Sequence, residues 1–198
     1  MKKSNHKKIL HSAGLCGVSA GFVVIVLFGI AVALSPSFSW ENNALSDLGI
    51  QHPSGFYFNS GLIILGLMGI FVGRGLWIYI KKDLMTKFGM VCFFGGALML
   101  FGLAVFKIDA GFIHYAIAAL FFILVPAAMA AIGISEIRNK KRTGFFSLLF
   151  AIFSGIAWAL PWSGRGIALP EIVSAVFMIA FCFLYGIAIL RKEIILKY

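Results

Sequence analysis

The chain has 198 residues, of which 61% are hydrophobic and only 12% charged, and its mean hydropathy is +1.00. Soluble domains average roughly 45–50% apolar and 25% charged residues, so a water-soluble fold of this size is excluded. The formal net charge of +10 would suit nucleic acid, but the cations come in short clusters between apolar runs, the pattern of membrane flanks and not of a nucleic-acid face.

Residues Met1 to Lys8 carry four lysines and lead into an apolar stretch that reaches Leu34. A signal peptide has an apolar core of only about 7–15 residues, so residues 12–34 are predicted as an uncleaved first transmembrane helix. Further helices are expected at about 55–80, 88–106, 111–134, 145–160 and 168–190, each near the roughly 20 residues that a helix needs to cross a bilayer. Backbone groups in lipid must pair within the chain, and continuous hydrophobicity without strict alternation argues against a barrel. The expected fold class is therefore all-α, an integral membrane bundle of six transmembrane helices forming a single domain over residues 1–198. Cys16, Cys92 and Cys182 fall in three different runs, which gives no disulfide framework and no C-x-x-C metal site.

Lys and Arg stay on the cytoplasmic side of short membrane loops. Lys2, Lys3, Lys7, Lys8, Lys81, Lys82, Lys87, Arg138, Lys140, Lys141, Arg142, Arg191, Lys192 and Lys197 all fall on one side, with Arg74 snorkelling toward it, and only Lys107 and Arg165 on the other. That alternation predicts six crossings of the cell membrane with both chain ends in the cytoplasm. Gly69 and Gly73 form a small-xxx-small pair, which serves either a homo-oligomer face or packing inside one bundle. Pro126 should bend the fourth helix.

Polar residues outside the basic flanks gather on the outer side, where four of the seven acids lie. The longest connection, Ser35 to Ser54, is expected to form a short helix or turn on the bundle, ended by Gly49 and able to cap a pocket. Within it Asp47 reads as an acid, a ligand or a turn residue. His114 opens the fourth helix one turn after Asp109, whose type suits the N-cap. It reads as a proton carrier, metal ligand, head-group contact or hydrogen-bonded interface histidine. Glu171 follows Pro170 at the start of the sixth helix, where a carboxylate suits the helix dipole, and Ser174 shares its face. Asn59 should turn inward, away from lipid. Arg165 stands between Gly164 and Gly166, suited to phosphate or carboxylate recognition in a close-backbone loop, or else to an ion pair with Glu171 or Asp109.

The order Asn43-Ala44-Leu45-Ser46-Asp47-Leu48-Gly49, Phe58-Asn59, His114 and Leu169-Pro170-Glu171 resembles the membrane family labelled domain of unknown function 998, over nearly the whole chain. That family is similar in layout to the eukaryotic group containing damage-regulated autophagy modulators and a GPI-anchor remodelling factor, which also places a Ser-Asp turn after helix one. The resemblance implies six helices and a connection with lipid handling, without an agreed reaction, and it adds weight to Ser46, Asp47, Asn59, His114 and Glu171. Phe106-Lys107 departs from the aromatic-proline turn expected before helix four.

Three functions stay open. A binding protein would hold a lipid head group or small polar ligand in an outward pocket, with Asn43, Asn59, Arg165 and Lys107 as contacts and membrane lipids as partners. An intramembrane hydrolase or transferase would use His114 as general base, Asp47 or Glu171 to orient it or act as acid, and Ser46 as nucleophile, although no G-x-S-x-G elbow or H-E-x-x-H helix is present. A metal form of that site would draw on His114, Asp47, Glu171 and His52, whose scattered spacing is no ligand signature, so neither metal nor cofactor is expected. A transporter is the third class, disfavoured by the lack of an inverted repeat. Convergence of Asp47, His114 and Glu171 in space would separate a site from a set of caps and turns.

Overall fold

A computed structural model describes residues 2–195, with side chains from Asn5 to Lys192; Met1 and Lys197 lie outside the described residues. The helices are α1 (Lys2–Ala33), α2 (Ser54–Tyr79), α3 (Leu84–Val105), α4 (Phe112–Arg138), α5 (Arg142–Ala159) and α6 (Ala168–Ile195), with 3-10 turns at Leu45–Gly49 and Ile108–Ala110. All six are long and apolar enough to cross a membrane, and no strand occurs among the described residues. The chain is thus a multi-pass membrane protein. α1 begins at Lys2 instead of residue 12, because lysine is a good helix former and the exposed Lys7 and Lys8 extend the helix at no cost in buried charge. α4 passes through Pro126 without a break and continues to Arg138.

Helices adjacent in sequence are adjacent in space, and α6 closes the ring against α1. In lipid no hydrophobic drive brings helices together, so close backbone approach decides the contacts. At the closing seam a Cβ on Gly17 would lie 2.5 Å from the Cys182 carbonyl oxygen, and one on Gly186 would lie 2.8 Å from the Val18 nitrogen. Gly69 and Gly73 face α3: their Cβ atoms would meet Ala97 Cβ at 3.2 Å and the Phe94 ring at 2.6 Å. The small-xxx-small pair is taken up by packing inside the bundle. One apolar cluster joins Leu76, Met129, Ile132, Phe181 and Tyr185; a second joins Leu45, Leu48, Phe58, Leu62 and Leu103, so the first long loop contributes directly to the core.

Side chains tie the basic end together. Asp83 caps α3, accepting from the Thr86 N–H at 2.8 Å and from the Ser135 hydroxyl of α4 at 2.6 Å. The Ser135 bond, followed by the Thr86 N–H, holds the Asp83 carboxyl below the ordinary carboxylate range. Next to Ser135, the fully buried Glu136 accepts from Lys141 at 3.0 Å and Thr143 at 2.8 Å. The Ser147 and Tyr185 hydroxyls, 3.1 Å apart, extend this network to α6.

Gly186→Val should lower the unfolding free energy by about 1–3 kcal/mol through overpacking, seen as a lower melting temperature in detergent. Gly155, where a Cβ would meet nothing within 4 Å, is the control: Gly155→Ala should be neutral or stabilising by up to about 1 kcal/mol. Because the Asp83 pKa is depressed in the fold, its charge adds stability at neutral pH that is lost as pH falls from the ordinary carboxylate value through the lowered one. Asp83→Asn, which keeps a good cap, should therefore melt below wild type at pH 7 and match it once the pH is under the lowered pKa.

Candidate functional site

The loop after α1 folds over the end of the bundle away from the lysine clusters. Leu45 and Leu48 are buried and seat the 3-10 turn on the second apolar cluster. Asp47 closes the turn locally: its Oδ2 accepts from the Ala44 N–H and the Asn43 side-chain amide, both at 2.9 Å. Asn59 turns inward, as expected from the cost of an amide in lipid, and its Nδ2 donates to the Gly49 carbonyl at 2.8 Å. Ser54 donates to the Leu48 carbonyl at 2.9 Å.

Glu171, in the first turn of α6 and 6% exposed, reaches across to the same turn. Its Oε2 accepts from the Leu45 N–H at 2.7 Å, satisfying a backbone donor at the turn's start that would otherwise be buried without a partner. The segment before α6 pairs with the loop through backbone alone: Gly166 N–H donates to the Glu41 carbonyl at 2.8 Å and Ala168 N–H to the Asn43 carbonyl at 2.9 Å. A Cβ on Gly164 would collide with the Glu41 carbonyl, and one on Gly166 with the Asn43 backbone. The glycines that flank Arg165 serve this pairing. Arg165 itself is exposed and forms no ion pair with Glu171 or Asp109 among the described residues, which corrects that expectation. Lys107 is likewise exposed.

His114 is 3% exposed, and its Nδ1 lies 2.7 Å from the Phe106 carbonyl oxygen. A carbonyl can only accept, so Nδ1 carries a proton and donates to it, and Nε2 is left outside that bond. The N-cap of α4 is Gly111, at φ 60° and ψ −126°, and not Asp109. The chain makes a 3-10 turn at Ile108–Ala110 before the helix starts, which leaves Asp109 exposed. Gly111 lies in the positive-φ range where side chains are strained.

Between α1, α2, α3, α4 and α6 lies a cavity of about 150 Å³. Its walls are apolar, among them Phe28, Leu62, Phe121 and Met178, and the polar or ionisable side chains that border it, thiols and thioethers aside, are Ser46, His114 and Glu171. Of the residues singled out by sequence, these three come together. Asp47 does not border the cavity, and neither do Asn43, Asn59, Lys107 or Arg165. Among the described residues no three His, Cys, Asp or Glu side chains group as metal donors, so the set of His52, Asp47, His114 and Glu171 is not assembled. The Ser46 hydroxyl makes no hydrogen bond among the described residues. Sequence reading missed Glu136, whose one signal is an acid placed just past the expected end of the fourth helix.

The model of the family described as "Protein of unknown function (DUF998)" matches residues 18–188. No curated protein and no solved structure matches the chain.

Glu171→Ala should leave the Leu45 N–H without its acceptor, a loss of about 1–3 kcal/mol, and should speed backbone amide exchange across residues 45–49. Glu171→Gln keeps an oxygen at that position and should retain most of the protection. Equal exchange in wild type and Glu171→Ala would show that the turn stands without this bond.

Proposed function

The chain belongs to the family described as protein of unknown function DUF998, and from that premise we propose that it is a binding protein that holds the end of an amphipathic, lipid-like ligand in the cavity between its helices. The observation that carries this reading is an apolar chamber of about 150 Å³ with its polar side chains restricted to Ser46, His114 and Glu171. A cavity of about that size in a protein core takes a benzene-sized group, so the chamber suits one ring or a short alkyl segment, with the rest of the ligand in the bilayer. The head group that fits is not an anion: no cation borders the cavity, whereas a hydroxyl or amide can bond to a serine hydroxyl, an imidazole nitrogen and a carboxyl. Lys107 and Arg165 are therefore not its anchors. The clustering of cations at the opposite end supports a single six-helix unit in the cell membrane, both chain ends in the cytoplasm and these three residues toward the outside. The resemblance of the sequence in layout to the group of autophagy modulators and the GPI-anchor remodelling factor implies lipid handling as well.

Intramembrane hydrolysis is the second reading, favoured by one feature. The Phe106 carbonyl engages Nδ1 of His114 and leaves Nε2 outside that bond, and His114 and Ser46 border one cavity. Asp47 has no part in it, because its carboxylate closes the turn.

A thermal-shift series of fatty alcohols, amides, acids and amines of one chain length, run on the purified protein, tests the binding reading. Alcohols or amides should raise the melting temperature more than acids, and Ala118→Phe, which fills the cavity, should abolish the shift. No shift with any class, or an unchanged shift in Ala118→Phe, would reject cavity binding. Turnover of a fluorogenic ester that is lost in both Ser46→Ala and His114→Ala would make the protein a hydrolase instead.

A further inference from the structure

The basic end carries a second feature, independent of the cavity. α2 presents Arg74, Trp77 and Ile78, three and four residues apart and so on one face, along a groove flanked by His6 and Ile9 of α1 and Phe94 of α3. Arg74 is exposed and stands five residues before Tyr79, the last residue of α2, about 7.5 Å inside the end of the helix at 1.5 Å per residue. Its guanidinium makes no hydrogen bond and no ion pair among the described residues. Trp77 is 37% exposed, with the Lys82 ammonium 4.8 Å from its ring centre.

An unpaired cation on the outer face of a spanning helix is costly unless it reaches an anion or the interface. The groove offers no anion of its own: no acid lines it. The acid of the neighbouring turn, Asp83, is held by Thr86 and Ser135, while Lys81, Lys82 and Lys87 are exposed around it. What a bilayer supplies at that depth is the phosphate layer. Arginine's planar fork suits a phosphate through two parallel hydrogen bonds, tryptophan favours the head-group level, and Ile9, Ile78 and Phe94 offer apolar contact below it.

We propose that this groove binds an anionic phospholipid of the leaflet at the basic end, its phosphodiester held by Arg74 and His6 and the start of its acyl chain lying on Ile78 and Phe94. A zwitterionic lipid has the same phosphate but adds a cation, which Lys82, seated over the Trp77 ring, repels. A lipid with net negative charge is therefore preferred by about fivefold or more, the effect of roughly one lysine near the surface.

The full chain in detergent, mixed with equal amounts of phosphatidylglycerol and phosphatidylcholine of the same acyl chains, tests this by native mass spectrometry. Wild type should retain phosphatidylglycerol over phosphatidylcholine by about fivefold or more. Arg74→Ala should bring the ratio near one, Arg74→Lys, which keeps the charge and loses the fork, should fall between, and Arg165→Ala should keep the wild-type ratio. Inorganic phosphate at the lipid's concentration should not displace it. Equal retention of both lipids by wild type, a wild-type ratio in both Arg74 variants, or displacement by inorganic phosphate would overturn the site.

Discussion

Glu171 begins α6, yet its carboxyl accepts from the backbone of Leu45, 126 residues earlier in the chain. Where that N–H lies, water cannot easily replace a lost partner, so the bond does more than one contact's worth of positioning. It sets the 3-10 turn at Leu45–Gly49 at one height on the bundle, and that height brings Leu48 into the apolar cluster and Ser46 to the edge of the cavity. The Gly166 and Ala168 pairings run beside it and add backbone bonds to the same junction. Two loops distant in sequence thus behave as one lid on the helices.

The opposite end solves the same problem with different groups. There the polar atoms are side chains on the helices themselves: Asp83, Thr86 and Ser135 bind each other, and Glu136 is held by Lys141 and Thr143. A buried carboxylate with a charged partner and a further donor is tolerable. Cutting one partner away would strand the other. The lysines that help mark this end as the basic flank therefore divide into two kinds, some built into the fold, as Lys141 is, and others such as Lys81 and Lys82 exposed.

Helix number and class were legible in the sequence because apolar length is a one-dimensional property and six runs have enough of it. The turn ended by Gly49 and the inward Asn59 were legible too, each from a local cost: backbone that needs a partner, and an amide that cannot face lipid. What failed was tertiary in origin. Asp109 has the right type and place for an N-cap, but an extra 3-10 turn and the positive φ of Gly111 move the helix start past it. The glycines beside Arg165 looked like a ligand loop, and the backbone pairing they allow leaves no mark in side-chain chemistry. Glu136 was not legible, since the sequence does not show that α4 runs on to Arg138 and buries it.

The polar residues that stand out chemically sort by where the fold places them and not by bonding capacity alone, since Asp47 Oδ1 and Asn59 Oδ1 are left over as well. Asp47 spends one carboxylate oxygen on Asn43 and Ala44, Asn59 gives its amide to Gly49, and Ser174 is bonded to Ser154; each of these is explained by structure alone. Ser46 has no hydrogen bond among the described residues, His114 is bonded through Nδ1, and Glu171 through Oε2, so capacity is left over in all three. Ser46, His114 and Glu171 differ from the others in bordering one apolar cavity, where the fold leaves part of their bonding capacity unused.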